Sequence, residues 1–553
     1  MPSRPVLGLE TVLLLAAVAF AAFYNGSLWR LLFAGSDAAP GPALVTGLFI
    51  AVVCVQFAGL ALLVPRTLAK PVLSILFLAT ALASYYMDRY GILIDKEMVR
   101  NVVHTDPAEA AELLTPALLP HLLLYLMLPV ALLAWVRIEP LRLGRSLVVR
   151  GRAVAIALSI AVVLVATDYR DVSLLVRSHR SARHLVTPTN YLVALYKLSR
   201  DSLAAPARAR QPIGLDAHRI LRAGVRRPKL LVLAIGETVR SANFGLSGYA
   251  RDNTPELRRM EVIAYPRMQA CGTSTEVSVP CMFARVGRRD YDEDRILGEE
   301  SLLHVLAHAG IRVHWIDNQA GCKGVCTGLP TEYLGRDADA QLCASGRCLD
   351  EVLLPKLAAV AGSADGDMVV VLHMLGNHGP AYSHRYPPEF GRYQPACASD
   401  DLRDCSSEEV VNAYDNAVLY TDHVLASVIR YLKTLDDRDT GLIYVSDHGE
   451  SLGENGLYLH GLPWRVAPAT QKEVPMVAWL SAGLLAATSV DEACLRGRAA
   501  HEQVSHDHLF HSILGLTGVE TTAREPELDL FSRCRVGSPP GRLVHEPRAP
   551  AVS

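Results

Sequence analysis

The sequence predicts two architectures in one chain: an α-helical membrane domain of five transmembrane helices, then an α/β domain with a largely parallel sheet. Three observations carry this. Five apolar stretches before residue 170 are each long enough to cross a bilayer, which takes roughly 20 residues per helix. Ten of the eleven cysteines lie after residue 270, with only Cys54 in the apolar part. From Pro228 onward, short β-type runs alternate with helical patterns. At 553 residues, 50% hydrophobic and a mean hydropathy of +0.21, the chain is too long for one domain and too apolar for an ordinary soluble protein. Its net charge of -2 selects no class of partner.

The spans fall near 7–24, 43–64, 71–88, 118–136 and 152–167. The first has the length of a signal peptide, but four more follow and no small-residue cleavage site stands behind it, so it reads as a retained anchor. Arg137, Arg142, Arg145, Arg150 and Arg152 lie between spans four and five, and Arg66 and Lys70 between two and three. By the positive-inside rule both loops are cytoplasmic, which places the N-terminus inside and everything after residue 168 outside. Residues 1–168 are therefore the membrane domain. The outer loop Met87 to Pro116 crowds Asp95, Lys96, Glu97, Asn101, Asp106 and Glu109 into a helix-permissive run. On one helix, Asn101 and Glu109 would share nearly one face. From its charges alone the loop reads as a solvated interfacial helix. Residues 169–222 mix Arg and His with Val, Leu and Tyr, as helices lying on the outer membrane face do.

Residues 223–553 form the α/β domain. Its apolar runs Lys229–Ile235, Val313–Ile316, Met368–Met374 and Leu442–Val445 lead into Gly236-Glu237-Thr238, Asp317-Asn318, Gly376-Asn377-His378-Gly379 and Ser446-Asp447-His448-Gly449-Glu450. Ligands of open α/β sheets sit beyond the carboxyl ends of the strands, where these polar residues gather. No internal repeat occurs, and only the Pro- and Arg-rich tail after Pro539 looks dispensable.

The late cysteines are close-spaced: Cys271 and Cys281, Cys322 and Cys326, Cys343 and Cys348, Cys397 and Cys405, Cys494 and Cys534. An even set of this kind reads as a disulfide framework in an oxidising compartment, in agreement with the topology. Zinc-ribbon pairing competes, but the spacings do not repeat as two CxxC knuckles. Asp447 and His448, with His460 twelve residues beyond His448, offer carboxylate and imidazole ligands to a borderline metal such as zinc, and Glu237 matches them after another strand. Gly449 is expected to let the backbone turn sharply. His378 is a candidate second ligand or phosphate contact, and Lys323, between two cysteines, a pinned cation. Cys271-Gly272-Thr273-Ser274-Thr275-Glu276-Val277-Ser278-Val279-Pro280-Cys281 is rich in hydroxyls, which become nucleophiles only when a base or metal takes the proton. Thr275 would gain most if it starts a helix, although the residues alone do not rank it against Thr273. Cys281-Met282-Phe283-Ala284-Arg285 has the C-x-x-x-R frame of formylglycine sulfatases, with Phe283 where those require Pro.

These stretches, with Ile235-Gly236-Glu237-Thr238-Val239-Arg240, Asn243-Phe244-Gly245-Leu246-Ser247-Gly248-Tyr249 and Gly321-Cys322-Lys323-Gly324-Val325-Cys326, resemble the lipid A phosphoethanolamine transferases of Gram-negative bacteria, including those behind polymyxin resistance. The resemblance covers nearly the whole chain. It implies a periplasmic catalytic domain of alkaline phosphatase/sulfatase-like fold on a multi-pass inner-membrane anchor. It further implies one tightly held Zn2+, with room for a second, on the residues matching Glu237, Thr275, Asp447 and His448, with Thr275 as nucleophile. Positions matching Lys323, His378 and His460 would bind substrate phosphate or a second zinc, and those matching Asn101 and Glu109 the headgroup. Relatives usually carry a small or apolar residue where Glu276 stands. The implied reaction moves phosphoethanolamine from phosphatidylethanolamine to lipid A in lipopolysaccharide, with no nucleic acid involved and a monomer expected. Three alternatives remain: another acceptor, such as a core sugar or periplasmic glucan; a sulfatase or phosphatase with water as acceptor; and an inactive membrane sensor.

Overall fold

The structure, a computed structural model, describes residues 4–34, 41–105, 107–139, 143–178, 181–204, 210–220, 227–335, 337–344, 346–363 and 365–536. Asp106, Arg142 and the tail after Pro539 lie outside these residues, as does the side chain of Glu109. The chain forms two compact units. One holds Met1–Ala207, Asp400–Asp404 and Ser451–Ala467, the other Arg208–Ser399, Cys405–Glu450 and Pro468–Ser553.

In the first unit, Pro42–Leu63, Arg66–Tyr90, Leu118–Trp135 and Gly144–Thr167 are long and apolar enough to cross a membrane. The stretch expected as one span near 7–24 is instead a pair, Leu9–Phe23 and Gly26–Leu32, bent by 53°. Asn25 occupies the break. Its buried amide donates to the Phe20 carbonyl (2.7 Å) and the Thr187 carbonyl (3.0 Å), while its oxygen accepts from Thr187 N (2.8 Å). Gln56 donates to the same Thr187 carbonyl at 2.8 Å, so two buried amides converge on one carbonyl in this apolar core. The outer loop also differs from the expectation of one helix. Lys96–His104, capped by the Asp95 carboxylate, ends at extended Thr105, and a second helix, Pro107–Glu112, follows. Proline at the start of the second helix disfavours helical backbone before it, so Asn101 and Glu109 do not share a helix.

The second unit is built on an eight-stranded sheet. In chain order its strands are β1 (Lys229–Gly236), β2 (Ile263–Gln269), β3 (Arg312–Asp317), β4 (Thr331–Tyr333), β5 (Met368–His373), β6 (Asp439–Ser446), β7 (Glu473–Leu480) and β8 (Val504–Ser505). Their spatial order is β8-β2-β7-β6-β1-β5-β3-β4. The centre, β6-β1-β5-β3, is parallel, whereas β7 runs antiparallel to both β6 and β2. Every residue of β1, β5 and β6 is buried, as continuous apolar runs in a parallel sheet require. Two helices matter for the site: α1 (Thr275–Met282) and the 27-residue α2 (Ser407–Lys433), the latter opened by a Ser406–Glu409 capping box. The five expected near-neighbour cysteine pairs are all disulfide-bonded, and Cys54 is free and buried.

Candidate active site

Register decides where the chemistry gathers. Ser446 of β6 lies opposite Gly236 of β1, and His373 of β5 lies opposite both Ile235 and Asp317. The central strands therefore end level, and the next residues, Glu237 after β1 and Asp447-His448 after β6, emerge side by side, all fully buried. Thr275 is the first residue of α1, so its hydroxyl sits at the positive end of that helix. It donates to Glu237 Oε2 (3.0 Å) and lies 3.4 Å from His448 Nε2. His448 Nε2 is in turn 3.3 Å from both Glu237 Oε1 and Asp447 Oδ2. Cys281 is bonded to Cys271, which removes the free thiol that the sulfatase-type C-x-x-x-R reading needs.

The backbone is forced to serve this arrangement. Thr238, directly after Glu237, has a left-handed φ of 58°, costly for a β-branched residue. Tyr414 of α2 holds it: the hydroxyl donates to the Thr238 carbonyl (2.7 Å) and accepts from Arg240 N (2.9 Å). Asp447 Oδ1 accepts from Thr238 N (3.3 Å) and His448 N (2.7 Å), and Ser446 Oγ accepts from Val239 N (2.8 Å). Gly449 matters for a reason other than a sharp turn. A side chain there would stand 2.0 Å from the Thr470 carbonyl, so glycine permits close approach. Gly376, with φ +54°, does both jobs: it turns the loop after β5, and an added Cβ would meet the Glu237 backbone at 2.8 Å.

Three supporting residues complete the site, and of these only His506 had no signal in the sequence. Ser278 donates to the Asp447 carbonyl (2.5 Å), tying α1 to the end of β6. His506 accepts from Cys271 N at Nδ1 (3.1 Å), and its Nε2–H donates to the Ser446 carbonyl (3.0 Å). Burial pushes the His506 imidazole down to about 3, so it is neutral, as one donor and one acceptor demand. Gln319 donates to Glu237 Oε2 (3.0 Å) from the loop after β3, and the rule of strand ends could have found it. That loop is pinned by Asp317, whose Oδ1 accepts from Gln319 N and Gly321 N (3.0 Å each) and whose Oδ2 accepts from His373 and Trp315. Asp317, singled out in the sequence for its position after a strand, is thus a structural anchor. Beyond it, Lys323 pairs with Glu276 at 2.9 Å.

The remaining candidates divide by unit. His378 is buried in the loop after β5, its carbonyl accepting from Arg385 (2.6 Å), and the preceding Asn377 N donates to the Glu237 carbonyl (3.0 Å). Asn101 and His460 belong to the first unit. There Gly461 faces the helix of Asn101, since an added Cβ would meet Met98 at 2.9 Å and Asn101 Nδ2 at 3.6 Å.

Charge at the centre calls for a cation. Burial first, then the Glu237 charge, raises the Asp447 carboxyl above its ordinary range. Burial opposes a charged His448, but Asp447 and Glu237 outweigh it and hold the imidazole well above its ordinary value. Asp447 Oδ2, though buried, receives no hydrogen bond among the described residues. Two carboxylates, an imidazole nitrogen and a hydroxyl converging at a buried point are the donor set of a borderline divalent ion, so the residues fit zinc.

Fold and site together define a membrane-anchored enzyme of the alkaline phosphatase/sulfatase-like class. The sulfatase family matches residues 229–519, and the family described as phosphoethanolamine transferase EptA/EptB matches residues 52–203. Phosphoethanolamine transferase EptA of Escherichia coli K12 is 40% identical over 473 residues, 85% of this chain and 86% of that protein. Phosphatidylethanolamine transferase Mcr-1 of Escherichia coli is 35% identical over 426 residues, covering 75% and 79%. The solved integral membrane protein lipooligosaccharide phosphoethanolamine transferase A (EptA) from Neisseria meningitidis superposes with a TM-score of 0.92 at 31% identity, over 96% of this chain and 99% of that one. The chain belongs to the EptA/EptB phosphoethanolamine transferase family, as its motifs led one to expect.

Proposed function

We propose that this protein transfers phosphoethanolamine from phosphatidylethanolamine to a lipid A phosphate through a covalent intermediate on Thr275, and thereby confers resistance to polymyxin. The observation that carries this reading is the Thr275 hydroxyl at the head of α1, donating to buried Glu237 beside Asp447 and His448. The names of the full-length relatives, which act in phosphoethanolamine transfer and include a lipooligosaccharide transferase, support the donor group and the lipid acceptor. In this reading residues 1–168 anchor the enzyme in the inner membrane, 169–222 bridge along its outer face, and 223–553 act in the periplasm.

In the first half-reaction Thr275 Oγ attacks phosphorus, its proton passing toward Glu237 Oε2. The bond from phosphorus to the diacylglycerol oxygen breaks, and that oxygen takes up a proton, for which His378 and His460 are the candidate donors. In the second, an oxygen of the acceptor phosphate attacks phosphorus, the Thr275 Oγ–phosphorus bond breaks, and the hydroxyl is restored. Glu237, Thr275, Asp447 and His448 would hold Zn2+. Bound there, the ion supplies positive charge that lowers the hydroxyl pKa and offsets charge on the phosphoryl group. Lys323 and His378 orient phosphoryl oxygens, and Asn101 and Glu109 hold the headgroup.

Mass spectrometry of lipid A from cells expressing the protein tests this. Lipid A should gain phosphoethanolamine with the wild type and with Thr275→Ser at a reduced level, and gain none with Thr275→Ala. Unmodified lipid A in wild-type cells, or modification surviving Thr275→Ala, would overturn the reading; phosphoethanolamine found on a core sugar instead would reassign the acceptor.

A further inference from the structure

Glu276 stands one residue past the nucleophile, in the first turn of α1, and its Oε1 pairs with Lys323 Nζ at 2.9 Å. Both side chains are largely withdrawn from solvent, at 10% exposure for Lys323 and 13% for Glu276. The loop that delivers Lys323 is rigid: Asp317 pins its start, the Cys322–Cys326 disulfide brackets Lys323, and Lys323 itself is left-handed at φ 48°. That loop grips both neighbours of Thr275, with Gln319 on Glu237 and Lys323 on Glu276. A cation and an anion therefore face each other, the anion one residue along the chain from the reacting hydroxyl.

The inference rests on the function proposed above. The transferred group is a zwitterion, a phosphate joined to a primary ammonium by a two-carbon tether. Once it is attached to Thr275, the short tether holds its ammonium near that residue, whose chain neighbour carries the carboxylate. Separating a nearly buried ion pair is costly unless both charges gain new partners. A phosphoethanolamine group supplies both, whereas a phosphoglycerol group supplies only the anion. We propose that in this chain Glu276 adds to the headgroup recognition assigned to Asn101 and Glu109: it exchanges Lys323 for the ammonium of the transferred group while Lys323 turns to the phosphoryl oxygens.

The test uses the purified full-length, zinc-loaded protein in mixed micelles, with phosphatidylethanolamine or phosphatidylglycerol as donor. It reads initial rates and the adduct on the Thr275 peptide by mass spectrometry. Glu276→Gln should raise KM for phosphatidylethanolamine about tenfold with little change in kcat, the loss of one charge-assisted contact. It should also narrow the preference over phosphatidylglycerol. Glu276→Asp should recover much of both, which a folding defect would not produce, and Lys323→Met should slow transfer from either lipid. An unchanged or lowered KM in Glu276→Gln, with headgroup preference intact, would show that the carboxylate merely masks Lys323 and would overturn the inference alone. A wild-type protein forming no adduct from phosphatidylethanolamine would overturn the function on which it rests, and the inference with it.

Discussion

At Thr238 a β-branched residue is held left-handed so that Glu237 can face Thr275, and one phenol hydroxyl secures it. Tyr414→Phe leaves the Thr238 carbonyl and the Arg240 N–H without that buried partner, so it should destabilise the protein by about 1–3 kcal/mol, read from chemical denaturation of the full chain. Asp422 offers a pH test remote from the site. Burial pushes its carboxyl up to about 7 even though Glu256 N and Leu257 N donate to it. An acid with a raised folded-state pKa favours folding below its unfolded value and loses that contribution as pH climbs to the folded one. The Asp422 contribution to thermal stability should therefore decline between about pH 4 and pH 7, and the pH profile of Asp422→Asn should lack that component. Much of the site was legible at this scale because strand ends collect ligands: Glu237, Asp447, His448 and His378 all follow apolar runs. Thr275 and Thr273 could not be separated from sequence, since each hydroxyl is a similar short step from Cys271. Tyr414 and His506 were illegible because their partners lie far away along the chain.

Elements were readable in proportion to how uniformly they are buried. The central strands announce themselves as apolar runs, broken in β3 by His314, but β2 and β7 carry Pro266, Arg267 and Pro475 and gave no such signal. Breaks were harder still: Asn25 interrupts an apolar stretch through hydrogen bonds to Thr187, whose position no local pattern reveals. The disulfides permit a ranking. In the chain-entropy view a bridge stabilises more the longer the loop it closes, and Cys494–Cys534 spans 40 residues while Cys343–Cys348 spans 5. Removing Cys494–Cys534 by paired alanines should cost about 3–4.7 kcal/mol, clearly more than removing Cys343–Cys348, as measured by denaturation without reductant.

For the whole molecule, the arginine-rich loops and the cysteine distribution point to one topology. A reporter active only in the periplasm should work when fused after Ile220, and a reporter active only in the cytoplasm should stay silent there; the reverse pattern would reject the topology. One property of the chain path reaches further. Because Asp400–Asp404 and Ser451–Ala467 are folded into the first unit, the polypeptide passes between the units five times. Leu462 and Ala467 pack in the same core as residues of Leu9–Phe23 and Pro42–Leu63. Neither unit is thus a cassette that recombination could lift out at one joint. A fragment started after Ala207 would carry apolar residues whose partners were left behind, and new anchors could be grafted on only together with those two embedded segments.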